Sequence, residues 1–506
     1  MSLPASRRDF LATVSLGGTA ALSGLINHLP RVSAQEAALP SDVVAFDPAI
    51  EPIVRLIEET PREKLLEAVG QRLRAGMSYQ QTLTALLLAG IRNVQPRPSV
   101  GFKFHSVLVI NSCHLASLAG PDEDRWLPIF WALDYFKVAQ ADEARSTGWR
   151  MPAVSQTRVP ASHAARDEFR AAMEAWDVER ADAAAAGLVR ACGATDVFNL
   201  FAEYAARDFR SIGHKAIYLA NAWRTLQVIG WRHAEPVFRS LTFALLNHTN
   251  EPNPASSDLA PDRPWRANLT LVENVPETWR SGRLDATATK DMIALFRQSS
   301  PLETATATVE LLKGGVSPQS VWDSIFVSAG ELLMRQPGIV GLHGLTTANA
   351  MRFLWENVAD DTLRIRLLLQ ASSFNPLFRE SAIRRAPLRD LTIDQLFQPK
   401  DDQPASPELD AILAAISNNP LDAAQLVSRY VEQEGHSRQF MDATRQMIFL
   451  KGRDSHDYKF SSAVLEDAPQ ISPAWRNTFL GLSVFHLKGT GDQDSGLLER
   501  TRAALA

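Results

Sequence analysis

Ser211-Ile212-Gly213-His214-Lys215-Ala216-Ile217-Tyr218-Leu219-Ala220-Asn221-Ala222 reads as a histidine in the first turn of an apolar helix. Weaker copies of the pattern recur at Phe104-His105-Ser106-Val107-Leu108, Leu342-His343-Gly344-Leu345-Thr346 and Ser455-His456-Asp457-Tyr458-Lys459. When the four histidines are aligned, their surroundings align with them. A helical run precedes each one: Tyr79 to Asn93, Thr195 to Arg207, Val321 to Arg335 and Ser437 to Lys451. A second helix opens near Asp124, His233, Thr362 and Trp475, each 19 residues after its histidine. Such self-similarity predicts four helical repeats with His105, His214, His343 and His456 at equivalent positions. Successive histidines lie roughly 110–130 residues apart, well beyond the ~20–50 residues of a usual solenoid unit. A closed assembly is therefore expected rather than an extended rod.

The rest of the chain supports an all-α fold. Apolar residues recur at three- and four-residue spacing from Ile50 to Arg74 and from Tyr79 to Arg92, where Leu83, Leu86, Leu87 and Ile91 share a face. Similar patterns predict helices over 165–175, 178–191, 195–209, 214–229, 234–247, 286–296, 303–312 and 318–335, and then over 343–357, 361–372, 408–416, 420–434, 437–451, 456–466 and 473–487. Strand-like alternation is scarce. Two proline-rich polar stretches, Asn250 to Pro264 and Gln398 to Pro407, read as surface loops. The repeat pattern runs across both, so residues 35–506 are expected to form a single all-helical domain, a compact closed bundle or toroid of about four repeats.

The chain has 506 residues, 45% hydrophobic and 22% charged, the balance of an ordinary globular protein. A net charge of −5 with no basic tract argues against a nucleic-acid partner. Ser6-Arg7-Arg8-Asp9-Phe10-Leu11, a mildly apolar segment from Ala12 to Ile26 and Val32-Ser33-Ala34 match a twin-arginine signal peptide with its cleavage site, spanning 1–34. The mature chain is expected to begin near Gln35 and to lie in the periplasm or outside the cell, with the twin-arginine translocase as its partner in transit. That route carries folded proteins, often with a cofactor already loaded. No later stretch is apolar enough for a membrane span. Only Cys113 and Cys192 are present. A disulfide between them and two buried thiols both remain open, and the lack of C-x-x-C removes thioredoxin-type chemistry and c-type haem attachment.

The usual catalytic signatures are missing: there is no H-E-x-x-H, G-x-S-x-G, G-x-G-x-x-G or P-loop. What remains is the histidine set. Imidazole binds iron, zinc, copper and nickel as the neutral base, and four helices each offering one ring toward a common axis would make a nitrogen-rich metal site. Metal-bound rings need acceptors that fix their tautomers. Asn111, Asn221 and Asn349, six or seven residues past their histidines, are candidates. Lys459 follows His456 by three residues and shares its helix face. A lysine there must be neutral or carboxylated to tolerate a metal cation. Burial lowers a lysine's pKa, and a neutral amine can take up carbon dioxide to become an anionic oxygen ligand. Lys459 is thus a candidate ligand and catalytic group, with Lys451 as the other candidate. His114, His233 and His248 read as structural, and His436, with Glu432 four residues before it, as part of a solvated face. Trp126, Trp131, Tyr135, Trp223 and Trp231 read as core aromatics that could also line an aromatic pocket.

The histidine-led helices, with Trp126-Leu127-Pro128 in the first repeat and His456-Asp457-Tyr458-Lys459 in the last, resemble the questin oxidase-like family, largely α-helical oxidoreductases of polyketide quinones. The resemblance spans roughly residues 60–490. It implies a mononuclear non-haem Fe(2+) centre with His105, His214, His343 and His456 as ligands and a carboxylated Lys459 or Lys451 as a further one. An exported chain has no ready supply of NADPH, so among aromatic and quinone-like small molecules a substrate that carries its own electrons, such as a catechol-like or hydroquinone aromatic, fits best. Two other readings stand beside this one: an exported helical-repeat scaffold without catalysis, and a histidine-ligated haem protein.

Overall fold

Among the described residues, strand-type pairing is confined to two isolated bridges, Val43 with Pro152 and Arg283 with Val316. Everything else that is regular is helical. The structure is a computed structural model and describes residues 42–96, 101–246, 252–398 and 407–506. The signal peptide and its cleavage site, His248, Pro98 and parts of both proline-rich loops lie outside the described residues.

Each repeat supplies a leading helix, a histidine helix and a trailing helix. In the first these are α1 (Tyr79–Asn93), a histidine helix split at Val109 into α2 (His105–Leu108) and α3 (Ile110–Ala119), and α4 (Leu127–Ser146). The second has α5 (Ala194–Ala205), α6 (His214–Ile229) and α7 (Ala234–Leu245). The third has α8 (Pro318–Arg335), α9 (Ile339–Asn357) and α10 (Asp361–Ile383). The fourth has α11 (His436–Lys451), α12 (Ser455–Asp467) and α13 (Pro473–Ser483). Local chemistry sets several of these starts. Ser78 and Gln81 form a reciprocal capping box at α1, the Asp360 carboxylate accepts from Leu363 N–H at α10, and Asp454 accepts from His456 N–H at α12.

The histidine helices close on one another. α3 packs on α6, α6 on α9, α9 on α12, and α12 back on α3, so the four form a ring around one axis. Outer helices knit neighbouring repeats together: α1 packs on α7, and α8 on α13. One apolar cluster runs through all four repeats, from Val44 to Ala504. The expected closed all-α bundle is what the chain forms.

Three expectations needed adjustment. The helical stretch expected from Ile50 to Arg74 is two helices, Glu51–Glu59 and Arg62–Arg74. Thr60, just before Pro61, is extended (φ −70°, ψ 128°), because proline crowds the α conformation of the residue before it. The third repeat's trailing helix does not stop near 372 but continues through Pro376 to Ile383. His343 is not in the first turn, since α9 begins four residues earlier at Ile339. Cys113 and Cys192 are both free, Cys113 fully buried. No helix among the described residues is long and apolar enough to cross a membrane.

Candidate metal centre

The closed ring brings all four histidines to the axis. His214 Nε2 lies 3.1 Å from His105 Nε2 and 3.0 Å from His343 Nε2, with all three rings buried. One ligand atom from each of these three residues lies within 4.8 Å of the others, so they are close enough to share one ion. His456 forms the fourth side. Its ring centroid is 4.6 Å from that of His105 and 5.2 Å from that of His343, and its buried Nε2 has no hydrogen-bond partner among the described residues.

The other ring nitrogens fix the tautomers. His214 Nδ1 lies 2.7 Å from the Ser211 carbonyl oxygen and His343 Nδ1 lies 2.6 Å from the Ile339 carbonyl oxygen. A carbonyl only accepts, so each Nδ1 carries the hydrogen and each Nε2 presents a lone pair. His456 follows the same plan, with Nδ1 2.6 Å from Asp454 Oδ1. That contact holds the Asp454 carboxyl down to about 2. Burial pushes His105, His214 and His343 well below the usual imidazole range, and the neighbouring Lys459 and the other rings push the same way. Protons are therefore poor occupants of the space between the rings. The opposed Nε2 lone pairs of His214 and His343, 3.0 Å apart, repel unless a cation lies between them. Two nitrogens bound to one metal at ~2.1 Å and at right angles stand ~3.0 Å apart, the spacing seen here.

Lys459 is buried within the same group, 3% exposed, and its Nζ has no hydrogen-bond partner among the described residues. Burial lowers its amine to about 7. Lys451, the alternative, is turned away: its Nζ donates to the Asp492 carbonyl and to Asp494 Oδ1, both at 2.8 Å. Of the two lysines, only Lys459 sits with the rings.

The asparagines do not orient the histidines. Six or seven residues past a histidine is ~10 Å further along a helix, beyond the reach of its ring. They form a separate layer instead. Asn221 Nδ2 donates to the Leu108 carbonyl at 2.9 Å, and Asn349 Nδ2 donates to Glu466 Oε2 at 2.8 Å and to Asp467 Oδ1 at 2.9 Å. The groups that orient His214, His343 and His456 come from the residues just before each one, the Ser211 and Ile339 carbonyls and the Asp454 carboxylate. Asp454 was legible as a helix-capping residue two positions before His456, whereas the Ser211 and Ile339 carbonyls carry no side-chain signal at all. Arg224 and Glu466, each ten residues past its histidine, carry no motif that singles them out in the sequence, and they form a 2.7 Å ion pair above the asparagines.

The remaining candidates have structural partners. His114 Nδ1 pairs with the Tyr79 hydroxyl at 3.0 Å, Arg232 Nε donates to His233 Nε2 at 3.1 Å, and His436 stacks on Tyr430 at 4.2 Å between centroids. Trp223 and Trp231 pack edge-on with centroids 5.8 Å apart, and Trp126 lies against Tyr79. Trp131 stacks on Tyr135 and also touches Tyr458 on the fourth histidine helix.

The turn into His214 is strained. Ile212 and Gly213 both have left-handed backbone, with φ 44° and 83°, and a β-branched residue there is costly. A Cβ on Gly213 would stand 2.0 Å from Thr347 Oγ1 on α9. A buried ion pair between Lys215 Nζ and Asp208 Oδ2 (2.6 Å) ties the first turn of α6 to the same loop.

No protein-family model matches the chain, and neither the curated proteins nor the solved structures contain a match to it.

Two outcomes follow from this geometry. Gly213→Ala is expected to cost roughly 1–3 kcal/mol in urea unfolding and to weaken metal binding, because α6 must move off α9 and carry His214 with it; unchanged stability and metal content would contradict the close approach. The second concerns Lys459, whose folded-state pKa of about 7 lies below its ordinary 10.5. Between those values the unfolded chain binds the proton and the folded one does not, so this residue makes stability rise as pH rises through the window. In metal-free protein in carbon-dioxide-free buffer, the urea midpoint should climb more from pH 7.5 to 9.5 in the wild type than in Lys459→Met. Parallel curves would show that the amine is not desolvated.

Proposed function

We propose that the protein is an exported, histidine-ligated metalloenzyme, a non-haem iron oxidoreductase acting on an aromatic or quinone-like small molecule. The observation that carries this reading is the convergence of buried, neutral imidazoles with Nε2 atoms 3.0 and 3.1 Å apart. A core assembled only for stability gains nothing from opposed lone pairs, and a buried polar group without a partner costs ~1–3 kcal/mol. That weighs against the non-catalytic scaffold. The same spacing leaves no room for a haem, whose plane would have to pass between the rings.

Several metals suit imidazole. Iron is favoured by the resemblance of the histidine-led helices to questin oxidase-like oxidoreductases, which also supplies the substrate class. Bound among these histidines with a coordination position left open, it would supply redox chemistry toward dioxygen or an electron-rich substrate. The chain's own residues do the rest. The Ser211 and Ile339 carbonyls and Asp454 hold the rings in the ligand tautomer. The surrounding apolar core excludes water. Lys459, neutral in a large fraction near pH 7, is placed to react with carbon dioxide: its nitrogen bonds to carbon, a proton leaves, and the resulting carbamate puts an anionic oxygen among the imidazoles. Export in the folded state through the signal at residues 1–34 accounts for a metal acquired before translocation, and a substrate that brings its own electrons removes the need for a nicotinamide reductant.

Protein purified after passage through its own signal should contain about one iron per chain by elemental analysis. His214→Ala and His343→Ala should lose most of it while keeping a helical circular-dichroism spectrum. Metal-free wild type, or variants that keep a full complement of iron, would contradict the proposal.

A further inference from the structure

Above the histidines, the four-helix ring is built in layers. The asparagines make one, and the residues ten positions past each histidine make the next: Leu115, Arg224, Phe353 and Glu466. Arg224 spans both layers. Its guanidinium lies 4.0 Å from the Phe353 ring centroid, its Nη1 is 3.4 Å from the Asn221 and Asn349 side-chain oxygens, and its Nη2 pairs with Glu466 Oε2 at 2.7 Å. Below this pair an inner cleft of about 10 Å³ leads down to Lys459, room for roughly one water molecule. Two further buried polar atoms near the cleft, Asn111 Oδ1 and Asp467 Oδ2, lack hydrogen-bond partners among the described residues. Native cores seldom leave such atoms unmatched.

A second cavity adjoins this one. It opens between α3, α11 and α12, measures about 230 Å³, and shares Leu115, Ser462 and Glu466 with the inner cleft. Its walls are largely apolar, from Ala116, Ala119, Ile448 and Leu465. The volume is below the ~300–1,000 Å³ of sites that enclose a drug-sized ligand, so it suits a body of one or two rings. Glu466 stands at the border between the apolar vestibule and the polar cleft. Its side chain is 30% exposed, against 10% for Arg224. The carboxylate therefore has solvent to swing into, while the guanidinium stays inside and needs an anion or carbonyl to compensate it.

We propose that Arg224 is the substrate-recognition residue of this site: a molecule with an apolar ring enters through the vestibule, and its anionic or carbonyl oxygen replaces Glu466 on the guanidinium. The inference rests on the reading of the histidine cluster as a metal centre acting on an oxygen-bearing aromatic, and it assigns that centre an entrance and a recognition residue. Arg224 Nη1, already aimed at the asparagine layer, then directs the oxygen-bearing end toward Lys459 and the rings.

The probe is 2-hydroxy-1,4-naphthoquinone, whose ring fits the vestibule and whose enolate oxygen fits the guanidinium, with binding read from its visible absorbance. Arg224→Gln should weaken binding by about tenfold, the size of a lost charge-assisted hydrogen bond. Glu466→Gln should strengthen it a few-fold, because the competing carboxylate is gone. Ala119→Trp should block the vestibule and weaken it. A merely structural ion pair would make the Arg224 and Glu466 variants shift binding in the same direction, and that result overturns the proposal, as does failure of the wild type to bind the probe. Metal content is measured on every sample, and the titrations are repeated on metal-free protein. A chain without metal contradicts the metal-centre reading by itself, while the opposite signs of the two shifts decide the role of Arg224.

Discussion

The Nε2 lone pairs of His214 and His343 face one another at 3.0 Å, an arrangement that repels unless a cation lies between them, and much of the fold serves to hold these rings in place. Three of the rings, His214, His343 and His456, are turned by their own Nδ1, donated to a carbonyl or carboxylate two to four residues earlier in the chain. Burial keeps the imidazoles neutral, which is the form that binds metal. Backbone strain at Ile212 and Gly213 lets α6 approach α9 closely enough for His214 to reach His343. Strain of this kind persists only where surrounding packing over-determines it, and here the packing is a closed ring of four helices.

The ring also explains why a single chain devotes four widely separated segments to one point. An α-helix presents one face to the axis, and residues three, seven and ten positions along that face stack above its first turn. The histidines make the lowest layer, Lys459 stands just above, the asparagines follow, and the Arg224–Glu466 pair closes the stack. The polar groups thus lie along the axis of a bundle whose outside is apolar packing between repeats, confined to a narrow column.

Much of this could be read from the sequence, because repetition amplifies weak signals. One histidine in an apolar helix says little, but four with helices at matched distances on both sides imply equivalent positions, and closure then brings them together. The fold class followed from three- and four-residue apolar spacing, while helix limits differed at Pro61, which splits one expected helix in two, and past residue 372, where the helix runs on through Pro376. Carbonyl partners were invisible because every residue has a carbonyl and no side chain marks the one that is used. The asparagines share a helix face with the histidines without being near them, because about two turns separate them from the rings. Lys459 could not be separated from Lys451 by spacing alone, since the choice depends on Asp492 and Asp494 some forty residues later in the chain, which hold Lys451 elsewhere.

The most direct test is X-ray absorption at the metal edge of protein exported through its own signal and never exposed to chelator. The account predicts an iron edge whose first shell is dominated by imidazole nitrogens at ~2.1 Å, with outer-shell scattering from at least three rings. An absent edge, or a shell of oxygen or sulfur without imidazole scattering, would contradict it.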